Sequence, residues 1–426
     1  MNTPSLSYHM PAEWEHHRAC LILYPHNTGV FRSSTITKCD ESSNGIHSEI
    51  MIKCGPARME VRNVARTICN YGQEDVFIFC NTIEEAEELR AKLKEEENAN
   101  ENESNQNQIF VKVCKSDDSW CRDTGPTFVK TTALATDSII GLDWKFNAYG
   151  GPESGCYWPC TNDQKVAQTM IKVLSNHYNN SNNGNNCNED NKRTSTDSEI
   201  LHQQVDIILE GGSFHTDGEG TILTTEECLL NPNRNPNMSK EDISKTLCQY
   251  LGGSKVIWLP FGIFNDEDTN GHVDNIATFA KPGHVVLSWT DDVNDANYER
   301  FKAAEEILLN ELDARGRKIV VHKLHVPRPL YYTTEEVNTL GDGNTEDNAS
   351  VDACEREIGD RLAASYVNYY LANNAIILPQ FGDTLFDKRA EETMQSIFPL
   401  KKILGVHSRE ILLGGGNIHC ITQQLP

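Results

Sequence analysis

The chain has 426 residues, 38% of them hydrophobic, and carries 62 acidic against 38 basic side chains, a formal charge of -24. The length is compatible with one large domain or two or three ordinary ones. The acidic excess argues against nucleic acid and anionic membrane as main partners, because both attract basic patches, and it suits a small cationic ligand.

Met1 to Trp14 lacks the basic and apolar regions of a secretory signal, and no apolar run approaches the ~20 residues needed to cross a bilayer. Fourteen cysteines are scattered without regular spacing. Cys156 and Cys160 find no matching pair to complete a four-ligand zinc framework. Free thiols in a reducing cytoplasm are the expectation.

In chain order, the apolar patterning predicts a helix over Ala57–Asn70, a strand over Val76–Cys80, a helix over Ile83–Glu96 and strands over Ile109–Val113 and Ile207–Leu209. A helix over Ser239–Leu251 opens with a Ser239/Asp242 capping box. Strands over Val256–Leu259 and Val285–Trp289 follow, then a helix over Tyr298–Leu312 and a strand over Ile319–Leu324. The last predicted elements are a helix over Arg361–Tyr370, a strand over Ile376–Leu378, a helix over Lys388–Phe398 and a strand over Ile411–Leu413. Interleaved strands and helices place the chain in the α/β or α+β class. Glu95–Gln108, Ser175–Asn191 and Asn338–Glu355 are rich in Asn, Glu, Ser, Asp or Gly and read as surface inserts that cannot bury enough apolar area to offset ordering. One domain, residues 1–426, with inserts near 95–108, 175–191 and 338–355 is expected.

Four polar clusters stand at predicted strand ends: SDDSWCRDTGPTFV from Ser116, ILEGGSFHTD from Ile208, DEDTNGHVDN from Asp266 and LLGGGNIHC from Leu412. Cys420 follows Gly414-Gly415-Gly416, where backbone can approach a ligand closely. It is either a nucleophile or a buried structural thiol. His272 and Asp274 share a face if that segment is extended, so an imidazole proton carrier and a carboxylate would point into one space. His215 and His419 read as candidates for the same role or as hydrogen-bonded wall residues. Asp123 reads as a loop-tip carboxylate, an Asx-turn acid or a partner of Arg122. Glu210, before Gly211-Gly212, either orients a histidine or is a solvated strand end. Together these groups suit a guanidinium: two carboxylates grip its N–H forks, a thiolate attacks its carbon, and a histidine protonates departing ammonia and then deprotonates water.

These clusters, with MPAEW, GLDWKFNAYGG, TEECLLNPNRNP, LSWTDD, RLAASYVNYY, PQFGD and GGGNIHCITQQ, resemble the agmatine deiminase family, most nearly its plant-type members. The resemblance implies the guanidine-modifying (pentein) superfamily fold, a five-bladed α/β propeller of pseudo-fivefold ββαβ repeats. It implies Cys420 as nucleophile, His272 as general acid/base and Glu210 as the acid that orients it. Asp123 and Asp274 correspond to guanidinium clamps, Asp268 to an acidic substrate ligand for the far amine, and Trp120 to a pocket wall over the methylene chain, or a core tryptophan. It implies agmatine as substrate, N-carbamoylputrescine and ammonia as products, putrescine and polyamine synthesis as context, no metal or organic cofactor, and a homodimer. Asn27–Gly55 departs from the family pattern, which puts the pocket rim there in doubt. Arginine or peptidyl-arginine deimination, a non-catalytic binding protein on the same fold, and a zinc hydrolase are the rival readings.

Overall fold

The computed structural model describes residues 8–39, 47–98, 107–131, 138–182, 200–340 and 354–426. Its architecture is α/β, and one pattern recurs in five sheets: two antiparallel strands, a helical crossover, then a strand parallel to the second. Thr127–Thr131 pairs antiparallel with Ser138–Lys145, and after the helix Val166–Asn182 the strand Ile200–Ile208 joins in parallel. Phe214–Thr216, Thr221–Thr225 and Lys255–Leu259 repeat this around the helix Lys240–Leu251. Ala277–Lys281, His284–Trp289 and Val320–His325 do so around Tyr298–Asn310, and Tyr370–Leu371, Ala375–Gln380 and Lys402–His407 around Thr384–Ile397.

The fifth sheet joins the two ends of the chain. The terminal strand Thr422–Leu425 lies antiparallel to Ala19–Leu23, which pairs in parallel with Asp75–Cys80, itself parallel to Ile109–Val113. Ala19–Leu23 is buried along its whole length. Both of its faces are covered, which is why it reads as a continuous apolar run rather than an alternation. Leu21, Leu23, Phe77 and Phe79 point into one core cluster, and Cys20, Ile22, Val76 and Ile78 point into another beneath the helix Gly55–Thr67. A hairpin, Ser34–Cys39 with His47–Ile52, lies within Asn27–Gly55.

Most predicted elements are present with ends moved by a few residues. The capping box at Ser239 and Asp242 forms as expected, and Gly252 closes that helix at φ 72°. Two assignments fail. Ile411–Leu413 is not a strand but the end of a helix, Arg409–Leu413, whose backbone N–H at Ile411 is met by Glu60 Oε2 at 3.0 Å. A three-residue apolar run buried on every side carries no periodicity to separate strand from helix. Arg361–Tyr370 is not a helix. It threads between cores, Leu362 N–H donating to Leu330 O and Arg361 gripping Asp295, so its apolar spacing reflects burial on several faces. Part of two expected inserts is helical, since helices run through Ile83–Asn98 and Val166–Asn182. The remainder of the three inserts falls mostly outside the described residues.

Each recurring unit brings a polar segment immediately before its first strand. Asp123 precedes Thr127–Thr131, Glu210 precedes Phe214–Thr216, His272 and Asp274 precede Ala277–Lys281, Asn368 precedes Tyr370–Leu371, and Cys420 precedes Thr422–Leu425. The repeat delivers one chemical group, or two, per unit.

Candidate active site

Three of these segments meet at the α-carbon of Gly212. A methyl group there would meet His272 Nδ1 at 2.5 Å, Asp123 Oδ1 at 3.0 Å and Asp274 Oδ2 at 3.1 Å. Only glycine leaves room for an imidazole and two carboxylates to pack around one backbone atom. Cys420 lies on the same ground: its Sγ is 3.7 Å from Asp274 Oδ2 and receives a hydrogen bond from Asn368 Nδ2 at 3.2 Å. His272 and Asp274 do not share the face of an extended strand. His272 has φ −53° and ψ 142° and introduces a 3₁₀ turn, Val273–Asn275, and the turn, not strand alternation, aims both inward.

Every member is buried and most are held by named partners. Asp123 accepts from the Gly212 N–H at 2.9 Å and the Tyr149 hydroxyl at 2.9 Å. It lies in the short helix Cys121–Thr124 and is neither an Asx-turn acid nor the partner of Arg122, which reaches Glu13 and Gln424 instead. Glu210, with no exposed surface, sits 3.4 Å from His272 Nε2 and accepts from Arg234 Nε at 2.7 Å. Asp274 Oδ2 is bridged through His419 to Glu13, both ring nitrogens lying 2.8 Å from a carboxylate oxygen. His215 stands on the other oxygen of Glu13 at 3.4 Å. His215 and His419 are therefore hydrogen-bonded wall residues.

Within this cluster, His272 Nδ1 and Asp274 Oδ1 are buried polar atoms with no hydrogen-bond partner among the described residues. Buried polar groups are nearly always paired, and an orphan pair facing one space marks where a ligand's own groups belong.

The electrostatics divide the site. Burial disfavours charge on Glu210, but Arg234 and His272 outweigh it and hold its carboxyl below the usual range. Asp274 is likewise held low, burial being overcome by His419 and His272. Burial, together with Asp274 and Glu210, pushes Asp123 up. His272 loses hydration on burial yet is driven well above its ordinary value by Asp123, Cys228 and Glu210. Burial pushes the Cys420 thiol well up, and the negative charges of Asp274 and Asp123 push it further. The sulfur is thus protonated until something cationic offsets those carboxylates.

A cavity of about 420 Å³, counting its open mouth, leads outward from Cys420. Asp118, Trp120, Asp123 and Tyr149 line it, with Asp268, Arg356 and the backbone of Gly414–Gly416 toward the mouth. Trp120 is both wall and core, since its ring also packs 5.7 Å from Phe31. Asp268 lines the cavity as expected but is not a free acid: Arg356 holds both of its oxygens, at 2.9 and 2.6 Å. Sequence reasoning assigned no role to Glu13, Tyr149, Arg234, Arg356 or Asn368. Four of these lie inside motifs quoted for the resemblance; Arg356 lies just beyond an acidic stretch that read only as an insert.

A buried thiol and a carboxylate at the inner end of a narrow cavity, backed by an imidazole and a second carboxylate, are an arrangement suited to a planar cationic group. A family model of the Porphyromonas-type peptidyl-arginine deiminases matches residues 9–426, and the chain belongs to that family. Agmatine deiminase of Medicago truncatula is 41% identical over 432 aligned residues, covering 100% of this chain and 98% of that one. Agmatine deiminase of Pseudomonas aeruginosa (strain LESB58) is 40% identical over 423, covering 98% and 95%. The solved agmatine deiminase of Enterococcus faecalis superposes with a TM-score of 0.77 at 34% identity, covering 99% of this chain and 96% of its own. No helix among the described residues is long and apolar enough to cross a membrane.

Proposed function

We propose that this protein is an agmatine deiminase, a hydrolase of C–N bonds that converts agmatine and water to N-carbamoylputrescine and ammonia. The observation that carries this reading is that Cys420 and Asp123, at the inner end of the cavity, are backed directly by Asp274 and His272, with an unpaired acceptor on Asp274 and an unpaired ring nitrogen on His272. Asp123 and Asp274 take the guanidinium N–H groups as a planar clamp. The arriving cation neutralises the charges that keep Cys420 protonated, so substrate binding itself favours the thiolate. The thiolate bonds to the guanidinium carbon, and His272 gives its proton to the departing nitrogen, which leaves as ammonia. Neutral His272 then takes a proton from water as that water attacks the amidino-cysteine and releases sulfur. Glu210, anchored by Arg234, orients the imidazole.

Trp120 covers the methylene chain, and Asp268 with Asp118 receives the far amine. A deiminase of free arginine needs a cation for the substrate α-carboxylate, and Arg356 is the guanidinium lining this cavity. Its terminal nitrogens are already given to Asp268 and to Gly414 O at 3.2 Å. That commitment favours agmatine over arginine or a peptidyl arginine. Ammonia release from agmatine and L-arginine at equal concentration tests the choice, and faster turnover of arginine overturns it. Mass spectrometry of the trapped Cys420 adduct tests the covalent step.

The same reading includes the five-bladed propeller, supported by five like sheets that each send a polar segment to one site. It includes a single catalytic domain over the chain, a place in putrescine synthesis, and a homodimer binding neither nucleic acid nor membrane. A cytoplasmic location is supported by the free thiols at twelve of the fourteen cysteines.

A further inference from the structure

Among the described residues, three clusters bring together at least three groups of metal-ligating type. Glu13, His215 and His419 are buried and already bonded to one another and to Asp274. Glu210, Cys228 and His272 are buried and committed to the chemistry above. The third stands apart: Cys156, Asp268 and Cys354 are only half-buried, their ligand atoms lie within 4.8 Å of one another, and all three line the mouth of the substrate cavity.

We propose that Cys156, Cys354 and Asp268 form a binding site for a thiophilic divalent cation, Zn²⁺ or Cd²⁺, and that its occupancy closes the cavity to cationic substrates. Two thiolates and a carboxylate are a soft, three-ligand set that leaves a fourth tetrahedral position for water. Zinc–sulfur bonds of ~2.3 Å place tetrahedral sulfurs about 3.8 Å apart, a spacing compatible with ligand atoms that lie within 4.8 Å of one another. Small side-chain rotations complete the geometry, because Cys156 and Cys354 approach from separate segments beside Asp268. Cys156 follows the turn Gly151–Ser154 and Cys354 stands two residues before Arg356.

Charge supports the same assignment. Two thiolates and Asp268 carry three negative charges, Arg356 one positive and the ion two, so the occupied site is neutral. Burial of an uncompensated dication would otherwise be costly. Without the ion, hydrogen bonding to Cys354, burial and Asp268 all hold Cys156 above its ordinary range. Metal binding to thiols displaces their protons, so affinity weakens as pH falls.

Binding is independent of the reaction, whereas closure rests on the agmatine reading, and the two are measured separately. Full-length Cys420→Ser, which lacks the reactive thiol, is titrated with Cd²⁺ under reducing conditions by equilibrium dialysis and thiolate-to-metal ultraviolet absorption. One equivalent binds with the absorption band. In the triple variant Cys420→Ser/Cys156→Ser/Cys354→Ser affinity falls by more than the ~10–100-fold that loss of an outer-shell partner costs. Equal uptake by both proteins, or no uptake by the first, overturns the site; Cys420→Ser/Cys354→Ser alone serves if the triple variant misfolds. In the otherwise wild-type enzyme, Zn²⁺ suppresses agmatine turnover and a chelator restores it. Cys354→Ser needs at least about tenfold more Zn²⁺ to lose half of its own metal-free rate, the lower end of that range. Equal sensitivity overturns closure.

Discussion

The two ends of the cavity are built from the same kinds of side chain and behave differently. The closed end sets Cys420 and Asp274 beside His272 and His419, all with less than a twentieth of their surface exposed. The mouth sets Cys156 and Cys354 beside Asp268 and Arg356, with the ion-paired side chains 17% and 19% exposed. At the closed end the groups beside Cys420 and Asp274 are histidines, whose charge can change in a proton transfer; at the mouth the cation is an arginine, whose charge cannot. Proton transfer belongs at the first and fixed recognition at the second. Burial makes this division sharp, because each uncompensated charge costs more where water is excluded.

The largest effect expected is at the closed end. Cys420→Ser lowers agmatine turnover by several orders of magnitude, because an alkoxide is far harder to form than a thiolate. Ammonia release measures it, and substantial residual activity would move the nucleophile elsewhere. Gly212→Ala places a methyl against His272, Asp123 and Asp274, and a displacement of about 1 Å costs on the order of 100-fold in kcat. Single-turnover kinetics on protein with an unchanged circular dichroism spectrum check this.

Asp274→Asn removes a clamp and a negative charge at once, so KM rises and kcat falls together. It also carries a sign. Asp274 helps hold the Cys420 thiol up, so its neutralisation lowers the thiol's value and moves the pH profile of iodoacetamide inactivation to lower pH. A profile that stays in place would separate Asp274 from the sulfur. The smallest effect is expected at the mouth. Asp268→Asn loses an amine ligand and frees Arg356, so kcat/KM for agmatine falls about tenfold, near 1.4 kcal/mol, while the ratio of arginine to agmatine turnover rises. An unchanged ratio would break the contrast between the two ends.

Legibility followed a similar division. The helix opened by Ser239 was readable because a capping box is local chemistry, and Val76–Cys80 because an unbroken apolar run behind polar residues marks a covered strand. Ile411–Leu413 and Arg361–Tyr370 misled because their surroundings, not their spacing, decided their conformation. The groups of the closed end stood out as Asp, His and Cys beside glycines. Arg356 did not, since one arginine beyond an acidic stretch has no local mark of facing a cavity.

By itself the sequence determined the residue types at the site, the α/β class and the family likeness, because these are written in short motifs and local patterning. Tertiary structure alone decided that Asp268 is paired with Arg356, that His419 ties Asp274 to Glu13, and that Cys156 faces Cys354 rather than Cys160. Each of these joins segments distant along the chain. Their separation is set by how five sheets pack and close, which no local run of residues encodes.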